Sequence, residues 1–207
     1  MPKRTKSSGR WLAEHFSDTY VKRAQQAGWR SRAVFKLEEI QRRDHLIKRG
    51  MAIVDLGAAP GGWSQYAAKI LAGHGSVIAL DILPMEPMAG VEIIQGDFTQ
   101  EPVLEQLQQR LIGQAADLVL SDMAPNISGD DAIDQPRAMY LAEQALAFAR
   151  TALGPRGSFL VKVFQGTGFP AYLQELRAGF HTVATRKPKA SRARSPELYL
   201  LAKQPRV

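Results

Sequence analysis

The sequence predicts an α/β fold: a mostly parallel sheet of seven strands with helices on both faces and an antiparallel last strand. Three observations predict it. Short apolar runs alternate with amphipathic stretches along most of the chain, a glycine-rich turn follows the first apolar run, and the last two runs are joined by a link too short to hold a helix.

Residues 1–10 read as a flexible basic arm, and residues 11–207 as a single domain whose first part, about 11–47, is a helical extension. Segments 11–27 and 31–47 both read as helices. In the second, Ala33, Val34, Leu37, Ile40 and Leu46 recur at helical spacing, and Ser31 stands where an N-cap belongs. Alternation then begins. Met51–Leu56 is a strand, Gly61–Leu71 a helix closed by Gly73, and Ser76–Asp81 and Val91–Gln95 are strands. Glu101–Ile112 is a helix opened by Glu101 and Pro102, and Asp117–Ser121 a strand. Gln135–Leu153 is a long helix with Pro136 near its start and Gly154-Pro155 at its end. Ser158–Phe164 is a strand and Pro170–Gly179 a helix; Thr182–Arg186 and Leu198–Ala202 are the last strands. A parallel crossover takes about a dozen residues or more, and Lys187–Pro196 is shorter, so that last pair is antiparallel.

Composition bounds the chemistry. With 207 residues, 45% of them hydrophobic and 23% charged, the chain suits one globular domain. Its 27 Lys and Arg against 20 Asp and Glu leave a net charge of +7, which favours an anionic partner such as nucleic acid. There is no cysteine, which excludes disulfides and thiol chemistry. His15, His45, His74 and His181 are scattered, so no metal site is expected. No apolar run approaches the roughly 20 residues of a membrane span, and the basic start lacks the apolar core of a secretory signal. The expected location is the cytoplasm, with no membrane contact.

The segment Val54-Asp-Leu-Gly-Ala-Ala-Pro-Gly-Gly-Trp-Ser-Gln65 lies between a strand and a helix. Its small residues permit a tight turn and close approach of backbone to a ligand. The spacing of Gly57, Ala59 and Gly61 behind Asp55 is not the dinucleotide pattern, and Pro60 removes an N–H that a phosphate cradle would use. Asp81 ends the next strand, where an acid can accept from both hydroxyls of a nucleoside ribose; this suits any adenosine-bearing ligand. Asp97, in Gly96-Asp97-Phe98, follows the third strand. Asp122 stands at the carboxyl end of a central strand, beside the crevice where open sheets bind ligands. Lys162 lies inside an apolar strand, where a lysine is costly unless paired or neutral.

The D-x-G-x-A-x-G pattern from Asp55 to Gly61 resembles the first motif of class I S-adenosylmethionine-dependent methyltransferases. The chain as a whole beyond the arm resembles the FtsJ/RrmJ family of RNA ribose 2′-O-methyltransferases. The residues that carry this are Arg30-Ser-Arg-Ala-Val-Phe-Lys-Leu37, Val54–Gln65, Ser121-Asp-Met-Ala-Pro-Asn126, Arg137-Ala-Met-Tyr140, Val161-Lys-Val-Phe164 and Ser191-Arg-Ala-Arg-Ser195. The resemblance implies a Rossmann-like class I fold and S-adenosylmethionine held by Gly57, Ala59, Pro60, Gly61, Gly62, Trp63, Asp81, Asp97, Phe98 and Asp122. Asp97 would meet the adenine amino group, with its neighbour packing on the ring. It also implies a catalytic tetrad of Lys36, Asp122, Lys162 and Glu197, the last beside a loop that reads as flexible. The implied substrate is a uridine ribose of large-subunit (23S) ribosomal RNA within the ribosomal particle, and a monomer is the expected state.

Ribose methylation asks for such residues. A 2′-hydroxyl is a poor nucleophile until its proton is removed or its oxygen polarised. Lys162 is expected to be the base, Lys36 to orient it or depress its basicity, and the two carboxylates to orient the lysines; the alternative keeps Lys162 charged and uses it only to steer the hydroxyl. Basic residues of the N-terminal quarter, Arg30 and Arg32 among them, and Lys187, Lys189, Arg192 and Arg194 near the other end, form the expected RNA surface. Trp11, Trp29 and Phe35 are candidates for stacking on bases, with core packing the commoner fate of such rings. Two other functions stay open from the residues alone: a nicotinamide-dependent oxidoreductase, disfavoured by the missing dinucleotide motif, and a non-catalytic RNA-binding factor, which leaves the acids and Lys162 without a purpose.

Overall fold

A computed structural model describes residues 18–206 apart from 112, 127, 193 and 194. The basic arm, Trp11 and Arg194 therefore lie outside the described residues. Helix α1 is Thr19–Gln26, capped by Asp18, whose side chain accepts from Tyr20 N at 2.9 Å. Helix α2 is Val34–Asp44. It has no side-chain cap, because Ser31 sits elsewhere: a Cβ added at Gly62 would meet Ser31 Oγ at 2.3 Å. Residues 31–36 instead enter the helix through i→i+3 bonds, such as Lys36 N to Ala33 O at 3.0 Å.

The alternating part comprises β1 Ala52–Leu56, α3 Gly62–Leu71, β2 Ser76–Asp81, β3 Val91–Gln95, α4 Glu101–Arg110 and β4 Ala116–Ser121. It continues with α5 Asp131–Ala152, β5 Leu153–Phe164, α6 Phe169–Gly179, β6 Phe180–Arg186 and β7 Glu197–Pro205. Helix α5 begins four residues before the expected Gln135, because Asp130 caps it by accepting from Ala132 N at 3.0 Å. Pro136 consequently lies within the helix rather than at its first turn. Strand β5 also starts early. Its pairing jumps from Ala116↔Leu153 to Leu118↔Ser158, so Gly154 to Gly157 form a bulge, where proline is tolerated.

The seven strands run in the order β3-β2-β1-β4-β5-β7-β6, with β7 antiparallel to both neighbours and the other pairs parallel. Alternate residues supply opposite faces. Ile53, Leu118, Leu120, Leu160, Tyr199 and Leu201 pack with Leu37 and Ile40 of α2 and with Trp63, Ala67 and Leu71 of α3. Val54, Val119, Phe159, Val161 and Leu200 pack on the other face with Leu107 of α4, Ala145 and Leu146 of α5 and Leu176 of α6. Burial on both faces explains why β1 has no exposed residue. Helix α1 joins through a third cluster, in which Ala24 meets Val34, Phe35 and Ala190. Among the described residues no helix is long and apolar enough to cross a membrane.

Candidate active site

The carboxyl ends of β1, β2, β3 and β4 surround a cleft of about 590 Å³. Gly57 forms its floor at φ 74°; a Cβ there would meet Met123 Cγ at 2.6 Å and Met123 Cα at 2.9 Å, so only glycine fits. The loop is pinned to β2 by Gly57 N and Ala58 N donating to Leu80 O at 2.9 and 3.1 Å. Asp81, 9% exposed, organises both walls: Oδ2 accepts from Ala59 N and Oδ1 from Leu83 N, each at 2.9 Å. Asp97 Oδ1 accepts from Thr99 N at 2.9 Å and Thr99 Oγ1 at 2.7 Å. Phe98 is held edge-on by Phe148 at 5.7 Å between centroids.

Of the cofactor residues expected from the sequence, Gly57, Ala59, Asp81, Asp97, Phe98 and Asp122 line this cleft. Gly62 and Trp63 line a small adjoining recess with Asp55 and Asp122. Trp63 is buried and donates from Nε1 to Ala33 O at 2.8 Å, so it fastens α3 to the start of α2. Pro60 and Gly61 lie behind Arg30, whose guanidinium donates to Pro60 O at 3.4 Å, Glu86 O at 2.7 Å and Pro87 O at 2.8 Å. Arg30 thus clamps the glycine-rich loop to the segment after β2.

Asp55, in the recess, was visible in the sequence only as part of a motif. It is fully buried, and Ser64 Oγ donates to its Oδ2 at 2.5 Å, while Oδ1 has no partner among the described residues. Burial pushes its carboxyl up to about 7 against the pull of the Ser64 hydrogen bond; the charges of Asp122 and Asp81 push the same way. A recess holding an orphaned carboxylate oxygen beside a second acid, Asp122, fits a cationic group.

Beyond Asp122 the cleft meets two ion pairs. Lys162 Nζ lies 3.1 Å from Asp122 Oδ1 and donates to Asp122 O at 2.5 Å. Lys36 Nζ lies 2.7 Å from Glu197 Oε1. Sheet register explains the assembly. Ser121 pairs with Val161, which sets Asp122 beside Lys162, and Lys162 pairs across β5 and β7 with Tyr199. Glu197 shares the Tyr199 face, two residues before it, and α2 covers that face with Lys36. All four side chains expected from the sequence are therefore brought together.

Two further residues complete the cluster. Tyr199 is fully buried; its hydroxyl donates to Asp122 Oδ1 at 2.8 Å and lies 3.4 Å from Glu197 Oε1, so it spans the two pairs. Burial, reinforced by both carboxylates, holds its phenol well above the usual value, which keeps it a neutral donor. Ser191 Oγ donates to Glu197 Oε1 at 2.8 Å. Burial works against ionisation of Asp122, but Lys162, then Lys36, then the Tyr199 hydrogen bond outweigh it and hold its carboxyl below the ordinary range. Sequence reasoning missed both residues. The signal for Tyr199 was its i, i+2 relation to Glu197 on a strand; Ser191 was visible only as the first residue of a segment that carries the family resemblance.

The expected RNA surface is partly committed to the protein itself. Besides the Arg30 clamp, Arg32 donates to Ala190 O at 2.5 Å and pairs with Asp18 at 3.1 Å. Lys187 donates to Ser195 O at 2.7 Å and to Glu197 O. Lys189 keeps an exposed side chain, and Arg192 is half-buried. Trp29 packs on Tyr66 with its centroid 5.8 Å away, beneath Lys69 at 4.9 Å, and Phe35 is buried.

The fold agrees with comparisons to known proteins. A protein of Plasmodium falciparum classed among the ribosomal RNA methyltransferases superposes with a TM-score of 0.77, at 27% identity over 85% of this chain and 98% of that one. A Clostridium thermocellum protein classed as an rRNA methylase (TM-score 0.56, 18% identity, 82% of this chain and 97% of that one) shares the fold. So does human methyltransferase-like protein 13 in complex with S-adenosylhomocysteine (TM-score 0.58, 14% identity, 83% of this chain and 79% of that one). Residues 29–205, which include the glycine-rich loop, both ion pairs and Tyr199, match the FtsJ-like methyltransferases, and the chain belongs to that family.

Proposed function

We propose that this protein transfers a methyl group from S-adenosylmethionine to a ribose 2′-hydroxyl of RNA, and that its substrate is a uridine of large-subunit (23S) ribosomal RNA in the ribosomal particle. The observation that carries the reading is the pair of lysine–carboxylate contacts, Lys162–Asp122 and Lys36–Glu197, where the cleft adjoins them through Asp122. The Plasmodium falciparum relative and the net charge of +7 support RNA as acceptor.

The cleft suits the donor. Asp81 faces it with a carboxylate that a ribose can share, Asp97 can accept from an adenine amino group, and Phe98 offers an apolar wall. Asp122 places negative charge at the recess, and Asp55, raised to about 7 by burial, adds to it when a cation favours its ionised form. S-adenosylmethionine supplies a methyl group already activated by its sulfonium. The protein's own task is therefore to align the hydroxyl and dispose of its proton.

Lys162 is the base in this reading. Lys162 Nζ donates to Asp122 O and stands 3.1 Å from Asp122 Oδ1, and a neutral amine held there keeps its lone pair for the hydroxyl proton. Lys36, held by Glu197 at 2.7 Å, is the cation of the other pair and also acts on Asp122. If Lys162 instead remains an ammonium, its third N–H orients the hydroxyl oxygen.

The test is methyl transfer from labelled donor to large ribosomal subunits lacking the modification, followed by digestion to nucleosides. Label in 2′-O-methyluridine is the expected result; label in a base, or none in RNA, refutes the reading. The pH–rate profile of Lys162→Arg separates the two roles of the lysine: loss of activity supports the base, whereas substantial retained activity excludes it.

A further inference from the structure

The segment Arg137–Tyr140, conspicuous in the sequence, takes no part in the cleft or the ion pairs. It lies in the second and third turns of α5, on the sheet face opposite α2. Tyr140 is 49% exposed. Pro125, Pro136, Arg137, Tyr140 and Leu141 form a shallow groove of about 410 Å³, and Pro125 and Leu141 also line the donor cleft. The groove is thus continuous with the cleft.

We infer that this groove is a second RNA subsite, in which an unpaired base adjoining the acceptor nucleotide stacks on Tyr140 while Arg137 meets its phosphate; this rests on the RNA reading above. A half-exposed tyrosine is ordinary by itself, but this ring lies in a groove with Pro125, Pro136 and Leu141 that adjoins the cleft. A ring suits a base because every base presents a π-face, whatever its sequence. The platform is firm before any ligand arrives. Asp130 caps α5, and Asp134 accepts from Ser128 N at 2.9 Å, Ser128 Oγ at 2.8 Å and Gly129 N at 3.0 Å. Gln135 Oε1 accepts from Thr167 N at 3.1 Å. The bonds to Asp134 tie it to the turn ahead of the helix and, led by the Ser128 N–H, hold its carboxyl below the ordinary range. The subsite also completes a path. Lys189 is exposed and lies against α2, its backbone N donating to Glu39 Oε2 at 2.8 Å; Tyr140 lies on α5, which packs on the opposite face of the sheet, and Asp122 follows the end of β4. A single strand crossing from one face to the other places its acceptor ribose at Asp122 and its neighbouring base on Tyr140.

The experiment compares wild type with Tyr140→Ala, Tyr140→Leu and Tyr140→Phe in methyl transfer to undermethylated large subunits, with donor affinity measured separately by calorimetry. Loss of one base stack corresponds to about a 5- to 150-fold rise in KM for the RNA substrate in Tyr140→Ala. Donor affinity stays at the wild-type value, Tyr140→Phe stays within about twofold of wild type, and Tyr140→Leu is as impaired as alanine. Two results overturn the inference: an unchanged KM in Tyr140→Ala, or a wild-type KM in Tyr140→Leu, which would mean that the groove packs on an apolar protein surface. The wild-type arm reports on the functional reading independently. RNA methylated normally by wild type and by every variant defeats the subsite alone, and RNA left unmethylated by wild type defeats both.

Discussion

Replacing Tyr199 with phenylalanine removes one oxygen from the centre of the cluster and nothing else. The ring keeps its contact with Trp63, 5.6 Å away, so no cavity opens. One hydroxyl proton faces two carboxylates, and the shorter contact, 2.8 Å to Asp122 against 3.4 Å to Glu197, receives it. A hydrogen bond to a charged group contributes about 1.5–3 kcal/mol. That corresponds to a fall in melting temperature of about 3–12 °C for a chain of this size. If the bond acts wholly in the transition state, the same energy sets a ceiling of about 10- to 150-fold on the loss of turnover. The variant also alters acid stability. The folded carboxyl of Asp122 lies below its unfolded value, so its stabilisation is present above the unfolded pKa and is lost as pH falls through the folded one. Deleting the hydroxyl raises the folded pKa, so the acid-dependent loss is smaller and is complete at a higher pH. Calorimetry across pH 3–7 and single-turnover methyl transfer read all three effects, that pH span being about the range in which carboxylates titrate. A melting temperature within about 1 °C of wild type together with undiminished turnover would refute the argument that Tyr199 holds Asp122.

Three other perturbations test separate parts of the site. Lys36→Met strips the cation from Glu197, which is only 9% exposed, and breaking such a buried pair costs about 3–5 kcal/mol; thermal unfolding reads the loss, and the double variant Lys36→Met, Glu197→Met regains much of it while remaining inactive. Gly57→Ala forces a side chain into the backbone of Met123 at φ 74°, with about 1–2 kcal/mol from the left-handed conformation alone, and is expected to abolish donor binding in calorimetry; retained affinity would contradict the close approach. The Asp55 carboxyl, raised from 3.8 to about 7, lowers stability as pH rises between those values, because the folded state holds the proton more tightly. A cationic donor in the recess favours the ionised form, so donor affinity rises with pH through about 7 with release of a proton, and Asp55→Asn flattens the dependence; a flat wild-type profile would show that the recess receives no cation.

The fold was legible where one period dominated the sequence. Strands β2 and β3 run over the expected Ser76–Asp81 and Val91–Gln95, short runs marked off by Gly73 and Gly75 before the first and by Gly90 and Gly96 around the second. The errors are local contests between signals. Pro136 looked like a helix start, but Asp130 and Asp134 organise a turn ahead of it, and a proline in the second turn is outweighed by that cap. Gly154-Pro155 looked like a break between helix and strand, but a bulge absorbs it into β5. At the site, Asp81, Asp122 and Lys162 were legible because charge within or at the end of an apolar strand is anomalous, whereas Lys36 and Glu197 were legible only through the family resemblance. Tyr199 was not, because a tyrosine in a strand has an ordinary packing explanation, and only the register Lys162↔Tyr199 shows what its hydroxyl faces.

The basic residues carry a more general lesson. Counting charges marked Arg30, Arg32 and Lys187 as RNA contacts, yet each spends its donors on backbone carbonyls of the protein. A guanidinium's rigid fork suits that task, and nothing in a sequence distinguishes an arginine facing phosphate from one facing carbonyls. The consequence falls on Glu197, whose neighbouring loop reads as flexible. Lys187 holds its carbonyl, Ser191 and Lys36 hold its carboxylate, and Arg32 fixes Ala190 in the cluster with Phe35. Arg186 then ties the start of that loop to Asp44 at the end of α2 through bonds of 2.6 and 2.8 Å. The basic loop is therefore docked along the helix that carries Lys36, and the two halves of the Lys36–Glu197 pair are positioned by one continuous set of contacts. A substitution at Arg32 or Lys187 that weakens transfer would, on this geometry, act through the placement of Glu197 as much as through RNA affinity, and only a measurement that separates turnover from KM can tell the two apart.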